Sequence, residues 1–217
     1  MRTFGFGDVA FLLLAARWTV VLAAGAFVFG GAIGLGIALA RVSDIPALRW
    51  LSIGYIRLFQ GTPLLLQLFL VFFGADMLGF GLGPYVSAIL GLSLNAGAFL
   101  GEIWRGALQA VPRGQQEAAR ALGLHYVPRM LRVVMPQALR VATAPTVGFL
   151  VNLIKSTSLA AIIGFVELTR AGQMVNNATF RPFTIFGIVA AIYFLLCWPL
   201  TLASRRLERR LASAYQR

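Results

Sequence analysis

Few residues in this chain carry side chains able to do chemistry, and most of them sit inside apolar runs. Cys197 is the one cysteine and His125 the one histidine. An intramolecular disulfide, a cysteine-based metal cage and His-cluster catalysis are therefore excluded, and no metal site is expected. Paired intramembrane aspartates and a Ser/Lys dyad on facing segments are also missing, and the i, i+3 pair Lys155 and Ser158 is too common a spacing to signal one. A phosphate-cradling G-x-x-x-x-G-K-[ST] loop ending at Lys155 and Ser156 would need glycine where Phe149 and Ile154 stand, so the chain holds no nucleotide by that means. No catalytic residue is assigned. What remains is a line of polar groups in apolar sequence: Gln67, Ser93, Asn95, and the run Asn152, Lys155, Ser156, Thr157 and Ser158. Uncompensated polar groups in hydrocarbon are expensive, and in transporters they mark the pathway. For Gln67, Ser93 and Asn95 taken singly, hydrogen bonding between helices is the plainer reading.

The elements that position these groups follow from composition. Of 217 residues, 59% are apolar and 12% charged, with a mean hydropathy of +0.81. A soluble domain averages roughly 25% charged residues, so a water-facing surface of this size is ruled out, as are disorder, collagen and coiled coil. Uncharged runs cover 18–40, 58–75, 77–101, 141–154 and 182–204. All but the fourth are long enough to cross about 30 Å of hydrocarbon at 1.5 Å per residue. Asp76 interrupts the tract from Leu58 to Gly101, and Gly79, Gly81, Gly83 and Pro84 place a turn there. The expectation is an all-α membrane protein in one domain. Five spans are expected at about 18–40, 58–76, 84–104, 137–155 and 182–204, with an interfacial helix over 4–16 and a loop over 105–136. Asp8 inside the 4–16 run argues against a cleaved signal peptide.

Net charge is +12, and eighteen of the nineteen cations are arginine. With five spans, fourteen of them fall on the side holding the 41–57 loop, the 105–140 loop and the tail after 204, and five elsewhere. Cations near span ends are retained in the cytoplasm, so the N-terminus is expected outside and the C-terminus inside. The basic excess is then topological, and nucleic acid loses its support as a partner. Gly30 with Gly34 and Gly97 with Gly101 are spaced for close helix packing.

The 105–140 loop is the most informative stretch. Pro112 suits a first turn, Gln115 to Leu122 are strong helix formers, and Glu117 is placed where a carboxylate is favourable. Gly123 suits the left-handed position that closes a helix. The expected product is a short cytoplasmic helix over 112–123, with Ala118 and Ala119 giving it a small, smooth surface for another protein's groove. A helix below about 12 residues is marginal alone and needs a partner. Pro128 and Pro136 then bracket a second helix.

The run EAARALGLHYVPRMLRVVMPQAL resembles the EAA loop of binding-protein-dependent ABC importer permeases through Glu117, Ala118, Ala119, Gly123, Val133, Met135 and Pro136. GTPLLLQLF from Gly61, LNAGAFLGEIWRGALQAVPRGQ from Leu94 and KSTSLAAIIGFVELTRAGQ from Lys155 resemble the polar amino acid subfamily, so the likeness runs from about Ile56 to the end. Gln60 stands where the subfamily often has Arg, and Ser156 where it often has Asp. The resemblance implies a type I importer permease of the bacterial inner membrane, multi-pass and not an enzyme. It implies a second permease chain, identical or homologous, ABC ATPase subunits inside, a solute-binding protein outside, and ATP and Mg²⁺ on the ATPase rather than on this chain. Residues Glu117, Ala118, Ala119, Arg120, Gly123 and Pro136 would then couple to the ATPase.

With an amino acid as substrate, Gln60, Thr62, Gln67, Asn95, Asn152, Lys155, Ser156, Thr157 and Ser158 become pathway candidates. The fourth run is too short to span alone, so the end at Asn152 to Ser158 is expected in a cavity or broken helix, where hydroxyls, an amide and one cation can hold charged ends. No carboxylate lies in that cluster, which disfavours arginine or lysine as substrate. Leu159 to Val166 is too short to cross, and a re-entrant or outer-surface helix ending at Glu167 is expected, with Glu167 a gate or a plain cap. A self-sufficient secondary transporter or channel is the competing reading, but no inverted repeat supports it and the docking loop would have no role there.

Overall fold

The structure is a computed structural model that describes residues 3–215, all-helical among them. Arg2 and Arg217 of the cation count lie outside the described residues. Among the described residues nine α-helices follow one another: α1 Phe6–Val42, α2 Pro46–Gly61, α3 Leu64–Met77, α4 Pro84–Gln109, α5 Arg113–Ala121, α6 Tyr126–Arg129, α7 Met135–Ser156, α8 Leu168–Thr179 and α9 Pro182–Tyr215. Among the described residues four stretches, Phe6–Val42, Pro84–Gln109, Tyr126–Ala161 and Pro182–Arg209, are long and apolar enough to cross a membrane, and the bent pair α2 and α3, taken together, has the length and composition of a fifth.

The bundle is built on α1 and α4. Gly30 and Gly34 face Ala96, Gly97 and Gly101, and a Cβ added at Gly30 would sit 2.6 Å from Ala96 Cβ and 2.9 Å from the Ser93 carbonyl oxygen. Without side chains in the way the two backbones meet directly. Gly25 lies against Ile89 and Gly34 against Gly101, so α1 and α4 run in the same direction. The long stretch ending in α7 runs back against α4, with Trp104 Nε1 donating to Thr146 Oγ1 at 2.9 Å and Phe99 stacked on Phe149. α9 returns along α7, held by Ser204 Oγ donating to the Ala144 carbonyl at 3.0 Å. The starts of α1, α4 and α9 therefore share one end of the bundle, and α5 caps the other.

Four elements differ from the sequence expectation. The separate 4–16 helix does not exist as such: α1 is unbroken across Arg17, which points outward, and its Leu12, Ala15 and Ala16 pack on Leu168, Ala171 and Val175 of α8 and Ile185 and Val189 of α9. At about 55 Å, α1 is longer than a hydrocarbon core is thick. The 41–57 loop is mostly helix α2, started by Pro46 in its first turn, where the missing N–H costs nothing. The second expected span is thus two helices meeting at 103° around Thr62 and Pro63. The run over 137–155 belongs to a continuous helical stretch from Tyr126 to Ala161, because Arg132 and Arg140 sit on its exposed side and do not end it. Pro136 cannot donate to the carbonyl four residues back and its ring would clash there, so the turn before it widens to a π-helical Met130–Val134.

Candidate functional site

α5 stands clear of the bundle at the end opposite α8. Pro112 is its N-cap and its C-terminus closes as a Schellman motif: Gly123 N–H donates to the Arg120 carbonyl at 2.9 Å and Leu124 N–H to the Ala119 carbonyl at 3.1 Å, with Gly123 at φ +76°. Glu117, Ala118, Arg120 and Ala121 are exposed, and Leu122 beyond them is 81% exposed. Ala119 is not part of that surface. It is 3% exposed, turned inward on the face through which α5 packs on the π-helical turn and α6. Pro136 lies outside α5, on α7, and its local effect is the widened turn.

Four of the pathway candidates, Gln60, Thr62, Gln67 and Asn95, meet at the break between α2 and α3. Pro63 has no N–H to give the Phe59 carbonyl, its ordinary helical partner. Side chains replace it: Gln67 Nε2 donates to Phe59 O at 2.8 Å and Asn95 Nδ2 at 3.3 Å, while Asn95 also donates to Gln67 Oε1 at 3.0 Å. Gln67 Nε2 further reaches Thr62 O and Thr62 Oγ1, and Thr62 Oγ1 donates to Leu58 O. Gln60 Nε2 donates to Ala98 O at 3.3 Å. Gln67 and Asn95 are buried and their donors are committed to holding the bend; Gln60 and Thr62 remain exposed beside it. A cavity of about 310 Å³ lined by Phe59, Thr62, Gln67 and Leu94 adjoins the break. Broken helices with freed backbone groups are where membrane transporters place solutes.

The second cluster lies at the far end of α7, and no hydrogen bond joins it to the first among the described residues. Asn152 and Lys155 are exposed on one face; Ser156 Oγ donates to Asn152 O, Thr157 Oγ1 to Ile154 O and Ser158 Oγ to Lys155 O, all back to the helix's own carbonyls. Their hydroxyls retain acceptor capacity only.

Glu167 corrects its expected position: it opens a helix instead of ending one. As N-cap of α8 it accepts Thr169 N–H and Arg170 N–H, both at 2.9 Å, and also Tyr193 Oη at 2.8 Å and Thr19 Oγ1 at 3.4 Å. Thr19 Oγ1 accepts Leu168 N–H. Burial pushes its carboxyl above the ordinary range, against the four hydrogen bonds that favour the carboxylate. Glu167 is fully buried and ties α1, α8 and α9 together as a cap. Sequence reasoning missed its partners Thr19 and Tyr193; a lone hydroxyl in the long apolar run from Trp18 is the signal that would have pointed to one of them.

Residues 32–213 match the family model of the binding-protein-dependent transport system inner membrane component. The chain belongs to that family. It is similar to the L-cystine transport system permease protein TcyB of Bacillus subtilis (38% identical, 89% of this chain and 83% of the relative). It is also similar to the arginine transport system permease protein ArtQ of the same organism (32%, 95% and 94%). Among solved structures, an amino acid ABC transporter crystallised with histidines superposes with a TM-score of 0.87 at 31% identity, over 96% of this chain and 100% of that one. The inward-facing methionine transporter MetNI shares the fold, with a TM-score of 0.82 at 20% identity. The chain is thus a multi-pass inner-membrane transport component, and the family is one of permeases, not enzymes.

Proposed function

We propose that this permease is the membrane-spanning subunit of an ATP-driven amino acid importer, working by alternating access. A second permease chain, identical or homologous, stands beside it, and an external solute-binding protein delivers the amino acid. ABC ATPase subunits, which carry the ATP and Mg²⁺, dock on α5. The supporting observation is α5 itself: a nine-residue helix closed by its own Schellman motif, exposed on nearly every face and joined to the bundle through Ala119. An isolated helix of that length gains little from its own hydrogen bonds, and a rigid projection suits a lever whose contacts differ between two states. The orientation follows from the cation split, with the N-terminus outside and α5 and the C-terminus in the cytoplasm. Gln60 and Thr62 at the α2/α3 break, and Asn152 and Lys155 on α7, are the groups proposed to meet the amino acid on its way. The absence of a carboxylate from both sets favours neutral or acidic side chains.

Reconstitution tests the reading. Proteoliposomes containing permease and ATPase, with ATP inside the binding-competent face and solute-binding protein on the other, should accumulate amino acid only when all components are present. Uptake by the permease alone, driven by an ion gradient, would instead establish the secondary-transporter reading.

A further inference from the structure

At the α5 end of the bundle, a cavity of about 440 Å³ opens between the end of α1, the start of α2, the end of α4, α5 and α6. Four arginines line it, Arg41, Arg49, Arg120 and Arg129, against one carboxylate, Asp44. Among the described residues none of the four forms an ion pair. Arg49 spends one donor on the Ser43 carbonyl at 3.1 Å and Arg129 lies over the Tyr126 ring, while Arg41 buries its Nε with no hydrogen-bond partner. The Glu102 carboxylate also acts on Arg41, yet cations still outnumber carboxylates around this space, an excess that an anion would relieve, and a buried donor without an acceptor is costly. Guanidinium forks match phosphate oxygens in particular.

A second cavity of about 610 Å³ adjoins the first, and Tyr126 and Met130 line both. Its lining is apolar, with Leu39, Leu48, Val127 and Leu131, and it runs beside α1. We propose that the two together are a binding site for an anionic phospholipid, the phosphate in the arginine cavity and an acyl chain in the apolar groove. Free phosphate satisfies only the first half, and an acidic peptide leaves the second half empty; a diacyl phosphate fills both. Basic pockets between spanning helices are where such headgroups bind. The bound lipid then links α1 and α2 to α5 and α6. This site does not rest on α5 docking an ATPase, and its test is a binding measurement.

The permease complex is purified in nanodiscs of phosphatidylcholine with a minor fraction of phosphatidylglycerol, and retained lipid is counted by native mass spectrometry after release. The unaltered complex should retain phosphatidylglycerol in preference to phosphatidylcholine, and the double variant Arg41→Gln/Arg49→Gln should reduce that retention about tenfold or more. Asp44→Asn, a surface change that removes the competing carboxylate, should raise it, which a purely structural role for these residues does not predict. Equal retention in the unaltered and double-variant complexes overturns the proposal. So does displacement of all bound phosphatidylglycerol by millimolar inorganic phosphate, which assigns the cavity to a small anion. Loss of ATPase subunits from the double variant, with no phosphatidylglycerol retained by the unaltered complex, also overturns it and gives the arginines to a protein contact.

Discussion

Two residues with opposite needs show how little room the bundle has. Gly30 is glycine because backbone lies where its Cβ would be, and neither Ala96 Cβ nor the Ser93 carbonyl is the free end of a flexible chain that can swing away. Gly30→Val should force α1 off α4 and cost about 1–3 kcal/mol, lowering the thermal midpoint of the purified complex. Gly36→Ala, with open space around it, should leave that midpoint unchanged or slightly higher. Glu167 is the reverse case, a charge-bearing group kept buried because four donors converge on it. Glu167→Ala removes a helix cap and strands Thr169 N–H and Arg170 N–H, leaving Tyr193 Oη only its contact with Thr169 Oγ1, so a loss of about 3 kcal/mol is expected. Thermal unfolding in detergent is the check. A variant that melts normally yet fails in uptake would return Glu167 to the gate role. The close packing of Gly30 and Gly34 was readable from spacing alone. The Glu167 network was not, because Thr19 and Tyr193 lie 148 and 26 residues away in the chain and only folding brings them to one carboxylate.

At the scale of elements, apolar runs located the spans and Gly123 located the end of α5. Charge misled wherever it sat on an exposed helical face. Arg17 split α1, Arg49 and Arg57 hid α2, and Arg132 and Arg140 shortened the stretch ending in α7, although each lies on an exposed side of a helix that continues past it. The break at Pro63 was invisible for another reason. A proline between two apolar runs reads as an ordinary loop, and its meaning lies in the Phe59 carbonyl it frees for Gln67 and Asn95. Asn95→Leu should therefore unpin α3 from α4, with a stability loss of about 1–3 kcal/mol, and raise the protease sensitivity of the segment around Thr62. For α5, Gly123→Leu places a side chain at φ +76°, a strain of about 1–2 kcal/mol with no neighbour within 4 Å to clash with. The helix end should fray, substrate-stimulated ATP hydrolysis of the reconstituted complex should fall several-fold, and Gly123→Asn should restore much of it.

For the whole molecule, the helix directions and the cation distribution make one statement. The α5 end gathers the end of α1, the start of α2 and the arginine cavity, and the α8 end is poor in cations. Reporter fusions after Gln137 and Arg206 should read cytoplasmic and one after Gly83 external, and a cytoplasmic signal at Gly83 would invert the proposed orientation. The central claim, that α5 is the contact through which ATP hydrolysis moves the bundle, is tested most directly by photocrosslinking in cells that also express the ATPase. Benzoylphenylalanine replaces Ala118, exposed on α5, or Phe80, 72% exposed in the turn at the opposite end. A covalent adduct with the ATPase from position 118, altered in yield by ATP and absent from position 80, is the expected result. No ATPase adduct from position 118 under any nucleotide condition would contradict it.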